Sequence, residues 1–273
     1  ARRQGAFSMD ETPLELARDA ARAGGVAASN HFRETIAVET KAHKNDLVSA
    51  ADTAAQERVV ERLGESSDAP VVGEEDEERT AVPAEGPAWV VDPIDGTANY
   101  LRGLRFWTTT VAAVADGEPT AAATVMPALD DEYVAGEGAT ELNGDAVTVS
   151  ERDDIETFAV AVLGWGPHGQ REAYAALSSA VVERFGDMRR FGSMQSALAF
   201  VASGGLDAAM TTRQPNPWDS VAGVHLIRQA GGTVTDLEGE RWHHDSTGLV
   251  ASNGRAHDEL LAVAQDVVDE VDG

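Results

Sequence analysis

The chain has no cysteine. That excludes a disulfide, a thiol nucleophile and a Cys-ligated zinc, and it fits a reducing compartment, so a cytoplasmic protein is expected. Lysine is nearly absent, represented only by Lys41 and Lys44. No run approaches the ~18 apolar residues of a membrane helix. The opening Ala1-Arg2-Arg3-Gln4-Gly5 has two arginines with no apolar stretch behind them, so neither a secretory nor a twin-arginine signal is expected. Acid dominates instead: 47 Asp and Glu stand against 21 Lys and Arg, for a net charge of -26. These acids are scattered along the whole chain rather than gathered in a tail. A field of that sign opposes nucleic acid and anionic membranes, so neither is expected as a partner. Haloadaptation is the simplest account, because at ~1 M salt the Debye length is only ~3 Å and self-repulsion is screened. A binder of polycations or calcium is the alternative.

With 273 residues and 42% apolar content the chain can bury a sizeable core in one or two domains. Residues 1–10 read as an arm. Asp10 or Thr12 can cap a helix with Pro13 in its first turn. Leu14, Ala17, Ala21, Gly24 and Ala28 recur at helical spacing over ~11–34, and their small size predicts close packing on another helix. Asp52 opens a second helix with Ala55, Val59 and Leu63 on its buried face, and Gly64 ends it. Ala69–Gly73 reads as a short strand leading into five consecutive acids, Glu74 to Glu78. Segments 108–116, 119–125 and 131–135 read as strands, with hairpin turns at Asp116-Gly117 and Asn143-Gly144. From ~153 the pattern changes to alternating strands and helices, with strands near 159–163, 188–191, 206–210, 233–235 and 249–251. Helices are predicted over 171–185, after Gly192-Ser193, and over ~218–230 and ~256–271. This divides the chain into an α+β domain, 1–152, and an α/β domain, 153–273.

Between them the chemistry concentrates in Trp89–Tyr100. An apolar strand runs into Asp92, and Pro93, which lacks an N–H, is expected to stop it. Asp95 follows, then Gly96, which lets the backbone approach a ligand, then the Thr97 hydroxyl at a helix start. Hard divalent cations take oxygen ligands, and phosphate takes free N–H groups. Asp52, Glu74, Asp92, Asp95 and Asp219 share one context, a strand end or a helix start. Converged, they would bind two or three such ions and reverse the local sign of the acidic field, so a phosphate substrate no longer conflicts with the net charge. Two ions about 3.5–4 Å apart serve the in-line hydrolysis of a phosphate ester.

Gly73-Glu74-Glu75, Asp92-Pro93-Ile94-Asp95-Gly96-Thr97-Ala98-Asn99 and Trp218-Asp219-Ser220-Val221-Ala222-Gly223 carry a resemblance to the inositol monophosphatase superfamily of lithium-sensitive, Mg²⁺-dependent phosphatases. Supporting segments run from ~40 to 253 in the family's order. The resemblance implies an α-β-α-β-α sandwich with its site between the halves. It implies that Glu74, Asp92, Thr97 and the Ile94 carbonyl bind one Mg²⁺, that Asp92, Asp95 and Asp219 bind a second, and that Glu74 shares a looser third. It further implies a nucleophilic water oriented by Thr97 and Asp52, phosphate held by the Gly96 and Thr97 backbone, and a proton for the leaving alkoxide from water near Asp219. Lys41 and Glu75 fall at modulating positions, and a homodimer is expected on the same ground.

Substrate choice is less defined. Inositol-selective relatives carry an acid upstream of the last metal-binding Asp, where this chain has Thr212 beside Arg213. Gly192, Ser193 and Met194 are expected to line the pocket. Arg190 and Arg213 are candidates for a second phosphate, because Arg binds phosphate bidentately. The substrate expected is therefore inositol monophosphate, fructose 1,6-bisphosphate or both. A 3'-phosphoadenosine 5'-phosphate nucleotidase of the same fold and a non-catalytic metal-binding scaffold are the alternatives. Phe106 and Trp107 are assigned to the core, Trp165 to the pocket rim or the packing between domains, and His243-His244 to a solvated pair. Haloadaptation predicts that thermal stability and activity rise from dilute buffer to molar KCl. Full stability in dilute buffer would contradict it.

Overall fold

Thr12 and Glu15 form a capping box. The Glu15 N–H donates to Thr12 Oγ1 at 3.2 Å, and the Thr12 N–H donates to the Glu15 carboxylate at 2.9 Å. Helix α1 (Pro13–His31) starts there, with Pro13 in its first turn. The computed structural model describes residues 11–34, 38–40, 47–74, 80–166 and 171–272. The arm before residue 11, Lys41 and Glu75 lie outside the described residues.

A short antiparallel pair, β1 (Val38–Thr40) and β2 (Leu47–Ser49), precedes α2 (Ala50–Gly64). Then come β3 (Val71–Gly73), β4 (Pro87–Asp95), α3 (Thr97–Leu101), β5 (Thr108–Ala115), β6 (Glu118–Met126), β7 (Asp131–Ala135), β8 (Thr140–Leu142) and β9 (Asp145–Val147). From β3 to β9 these seven strands form one sheet in sequence order, antiparallel except for the parallel β3–β4 pair. Asn143 (φ 54°) and Gly144 (φ 88°) make the two-residue turn between β8 and β9. The second half adds β10 (Ala159–Val162), α4 (Glu172–Arg184), β11 (Asp187–Arg189), α5 (Met194–Ala202), β12 (Ala208–Thr211), α6 (Pro217–Gln229), β13 (Thr233–Thr235), β14 (Leu249–Ser252) and α7 (His257–Asp272). Its five-stranded sheet runs β11-β10-β12-β14-β13.

The layers follow from which faces are apolar. α1 and α2 cover one face of the large sheet, burying Leu16, Val59 and Leu63 against Trp89, Val91 and Val111. α5 and α6 lie between the two sheets and are buried along nearly their whole lengths, as helices with apolar residues all round must be. α4 and α7 close the far face of the small sheet over Val160, Met210 and Val250. The result is the expected five-layer α-β-α-β-α sandwich. β4 is buried from Ala88 to Asp95 because helices cover both faces of its sheet.

Pro93 does not stop β4. The strand continues to Asp95, and its pairing with β5 shifts register between Asp92 and Asp95. A bulge tolerates proline because no ladder N–H is needed there. The Pro93 carbonyl still accepts the Thr109 hydroxyl at 2.8 Å. Ion pairs tie other elements together. Glu132 of β7 receives Arg18 (2.6 Å) and Arg22 of α1. Glu118 of β6 receives Arg241 (2.9 Å) from the second half, and the His243 side chain, 49% exposed, places Nδ1 2.8 Å from the same carboxylate.

Gly24 shows why α1 is rich in small residues. A Cβ there would lie 2.5 Å from Val59 Cγ2 and 2.9 Å from Thr109 Cγ2. Gly24→Val is predicted to cost about 1–3 kcal/mol through overpacking. At Gly64, where a Cβ meets nothing within 4 Å, Gly64→Ala should be neutral or stabilising. Denaturant midpoints for the two variants check both.

Candidate active site

The bulge that carries Pro93 delivers Asp92 and Asp95 to the end of the large sheet. Asp92 is 1% exposed and Asp95 7%. Gly96 then adopts φ 90°, and a Cβ there would lie 2.9 Å from the Phe106 carbonyl and 3.0 Å from Ser193 Cβ. Only glycine fits that turn. α3 begins immediately, with the Asn99 and Tyr100 N–H groups donating to the Gly96 carbonyl at 2.8 and 3.0 Å. In its first turn the Thr97 hydroxyl lies 3.1 Å from the Ile94 carbonyl and 3.3 Å from Asp52 Oδ1. Asp52 is fully buried in the first turn of α2.

Asp95 joins the two halves of the chain. Its Oδ2 accepts the Ser193 hydroxyl and the Gln195 N–H, both at 2.6 Å, and its Oδ1 accepts the Met194 N–H at 3.2 Å. A carboxylate from β4 thus caps α5, whose first N–H groups have no partner within the helix. Gln195 extends the link, donating to the Trp218 carbonyl (2.6 Å) and accepting the Gly223 N–H (2.9 Å) of α6. In the first turn of α6, Asp219 accepts from the Asn216 amide at 2.9 Å. Asn99 bridges the Phe106 and Phe191 carbonyls at 2.6 and 2.7 Å.

Asp92, Asp95 and Asp219 each offer an oxygen within 4.8 Å of the others. Burial pushes the Asp92 carboxyl well above its usual range, and the charges of Glu74, Asp95, Asp219 and Asp52 push it further. Asp95 is also raised by burial, against the lowering effect of the Ser193 hydroxyl and the α5 N–H groups. Asp219 is pushed up to about 7 by desolvation and then by Asp95, against the Asn216 bond. Among the described residues, neither Asp92 oxygen has a hydrogen-bond partner. An unpartnered buried carboxylate beside two others is costly unless a cation satisfies it. The donor set, all oxygen, fits a hard divalent ion.

A cleft of ≈ 310 Å³ opens beside these acids, and Glu74, Asp95, Gly96 and Thr97 form one part of its wall. Gly192, Ser193, Met194, Arg190, Trp165 and Tyr174 belong to the rest. Arg213 lines a neighbouring cleft of ≈ 240 Å³, which shares Trp165, Met194 and Asp219 with the first. Thr212 lines neither. The preceding residue, Thr211, closes β12 and accepts the Arg213 N–H at 3.2 Å. Trp107 is buried beneath α3 with Tyr100 and Phe32 (ring centroids 5.0 and 5.3 Å). Phe106 departs from its core assignment: it is 37% exposed and packs edge-on against Phe191 and Phe200. Sequence reasoning gave no role to Asn99, although it closes the Asp92–Asn99 motif, nor to Tyr174, Arg171 and Asn216. The Asn216-Pro217 dipeptide is the one available signal, a helix start just before Asp219.

A carboxylate-lined cleft at the seam of a five-layer sandwich matches what the resemblance implies for a phosphatase. The chain belongs to the inositol monophosphatase family, whose sequence model it matches over residues 9–269. It is 31% identical over 250 residues to the fructose-1,6-bisphosphatase/inositol-1-monophosphatase of Thermotoga maritima, an alignment covering 89% of this chain and 92% of that one. It is 32% identical over 232 residues to a histidinol-phosphatase of Mycobacterium tuberculosis, covering 80% and 85%. Among solved structures, a Thermotoga maritima IMPase superposes with a TM-score of 0.83 at 29% identity, covering 93% of this chain and 96% of that one. The chain is therefore a phosphoric monoester hydrolase of this family.

The raised carboxyls set a stability profile for the metal-free protein. The unfolded chain releases these protons near the ordinary Asp value of 3.8, while the fold keeps the Asp219 proton up to about 7. Above 3.8 the folded state holds more protons, so stability falls as pH rises through this window. In EDTA, Asp92→Asn is predicted to melt a few degrees above wild type at pH 8 (about 2–4 °C per kcal/mol) and level with it at pH 4. Thermal melts at the two pH values check the sign.

Proposed function

We propose that the chain is a Mg²⁺-dependent phosphatase of sugar or inositol phosphate monoesters, with its site at the interface of domains 1–152 and 153–273. The observation that carries this reading is the unpartnered, buried Asp92 carboxylate within 4.8 Å of Asp95 and Asp219. In this reading Glu74, Asp92, Asp95, Asp219, the Ile94 carbonyl and Thr97 would hold two or three Mg²⁺ ions. The ions would lower the pKa of a nucleophilic water and neutralise charge on the phosphoryl oxygens. The Thr97 hydroxyl orients that water and passes its proton toward Asp52 Oδ1, 3.3 Å away. The Gly96 and Thr97 backbone at the start of α3 holds the phosphoryl group. As the new O–P bond forms and the ester P–O bond breaks, water beside Asp219 returns a proton to the departing alkoxide. No covalent phosphoenzyme arises.

The relatives' names cover fructose 1,6-bisphosphate, inositol 1-phosphate and histidinol phosphate. A panel of these three esters in molar KCl, with Mg²⁺ varied, tests the reading. EDTA should abolish phosphate release and Mg²⁺ restore it. Asp95→Asn, Asp219→Asn and Thr97→Ala should each lower kcat about 10²–10³-fold, the scale of one lost transition-state contact. Release that is indifferent to EDTA would overturn the mechanism.

A further inference from the structure

What the acid cluster can hold depends on how far apart its members stand, and Gln195 lies between two of them. Helix α5 reads Met-Gln-Ser-Ala-Leu-Ala-Phe-Val-Ala. Gln195 is therefore a long polar side chain in a helix otherwise small or apolar, and it is fully buried. A buried amide is costly unless its polar atoms are partnered. Nε2 donates to the Trp218 carbonyl at 2.6 Å, and Oε1 accepts the Gly223 N–H at 2.9 Å. Among the described residues, these are the hydrogen bonds that join α5 to α6. The main-chain N–H of the same residue donates to Asp95 Oδ2 at 2.6 Å.

Both ends of this link reach the acid cluster. Asp95 is held directly. The Trp218 carbonyl belongs to the peptide whose nitrogen is that of Asp219, so the amide grips the backbone from which the second carboxylate hangs. Each of these carboxylates offers an oxygen within 4.8 Å of the other and of Asp92. Gly223 allows the approach: a Cβ there would lie 2.5 Å from Leu198 Cβ and 2.9 Å from Gln195 Oε1. Apolar burial holds two helices together without direction, so alone it lets one slide along the other. Hydrogen bonds are directional, and setting register is the best-attested use of a buried polar group between helices.

Given the Mg²⁺-dependent reading above, we propose that Gln195 is a positioning residue that sets the separation of Asp95 and Asp219 and so tunes the site to a small divalent cation. Its side chain acts through the two helices and touches neither substrate nor ion. Mg²⁺ demands near-ideal octahedral geometry at about 2.0–2.1 Å, whereas Ca²⁺ accepts a flexible shell at about 2.3–2.6 Å. Releasing the register therefore costs Mg²⁺ more than Ca²⁺.

Titration calorimetry of the metal-free protein in molar KCl, with Mg²⁺ and separately with Ca²⁺, gives the ratio of the two dissociation constants. Gln195→Met fills the same space without the amide bonds. It should weaken Mg²⁺ binding about tenfold and Ca²⁺ binding by less than about threefold, the lower end of what losing an outer partner of a metal ligand costs. The Mg²⁺ concentration for half-maximal hydrolysis of 4-nitrophenyl phosphate should rise to match. Gln195→Ala should shift the ratio the same way, and it carries the test if the methionine variant does not fold. Leu198→Val trims the α5–α6 contact but spares its hydrogen bonds, so it should lower the melting temperature and leave the ratio unchanged. A wild-type ratio in a folded Gln195 variant, or an equal shift in Leu198→Val, would overturn the assignment. If wild type binds Mg²⁺ and Asp219→Asn does not, while Gln195→Met keeps the wild-type ratio, this inference alone fails. If wild type binds neither cation, the metal-dependent reading fails with it.

Discussion

Asp92 lies in a strand that is buried on both faces, and among the described residues neither of its oxygens is hydrogen-bonded. The fold holds a carboxylate where burial and four neighbouring acids disfavour its charge. Folding alone would remove such a group, since an unpaired buried charge is among the costliest features a core can hold. The surrounding geometry makes sense as preparation for a cation. The β4 bulge sets the spacing of Asp92 and Asp95, α6 brings Asp219 from far along the chain, and the two sheets enclose the meeting point.

Asp95 shows how the site and the packing are one construction. Its oxygens are occupied by Ser193 and by the first N–H groups of α5, so the same carboxylate that faces the acid cluster also docks the middle helix layer. Gln195, one residue further, carries the link to α6 and hence to Asp219. Asn99 ties the α3 corner to the loops before β5 and before α5. An acid cluster assembled in this way has its distances set by buried hydrogen bonds rather than by loops, and positioning to a fraction of an ångström is what catalysis requires.

Much of this was legible in the sequence because it was written locally. The Asp-Pro-Ile-Asp-Gly-Thr run encodes its own corner, Thr12 with Glu15 encodes the first helix start, and Asn143-Gly144 encodes its hairpin. The periodic small residues of α1 announced a close helix contact, which Gly24 makes against Val59. What stayed hidden is tertiary. Nothing near Asp95 in the chain says that it caps a helix a hundred residues later. The strand-ending role given to Pro93 failed because the bulge against β5 depends on a partner strand. Arg171 lies outside every motif, and only the fold brings it over Trp165. The short β1–β2 pair had too few residues to show a period.

The middle layer has a consequence for how the polypeptide can be divided. α5 and α6 belong by sequence to the second half, yet they bury Val90, Ala112 and Ala122 of the first-half sheet in the same cluster as Ala161 and Ala209 of the small one. A fragment cut near residue 152 would leave the large sheet with one naked oily face and a carboxylate stranded on it. The complementary fragment would bear two helices greasy all round. Neither piece owns a complete interior, so this chain succeeds or fails at folding as a whole.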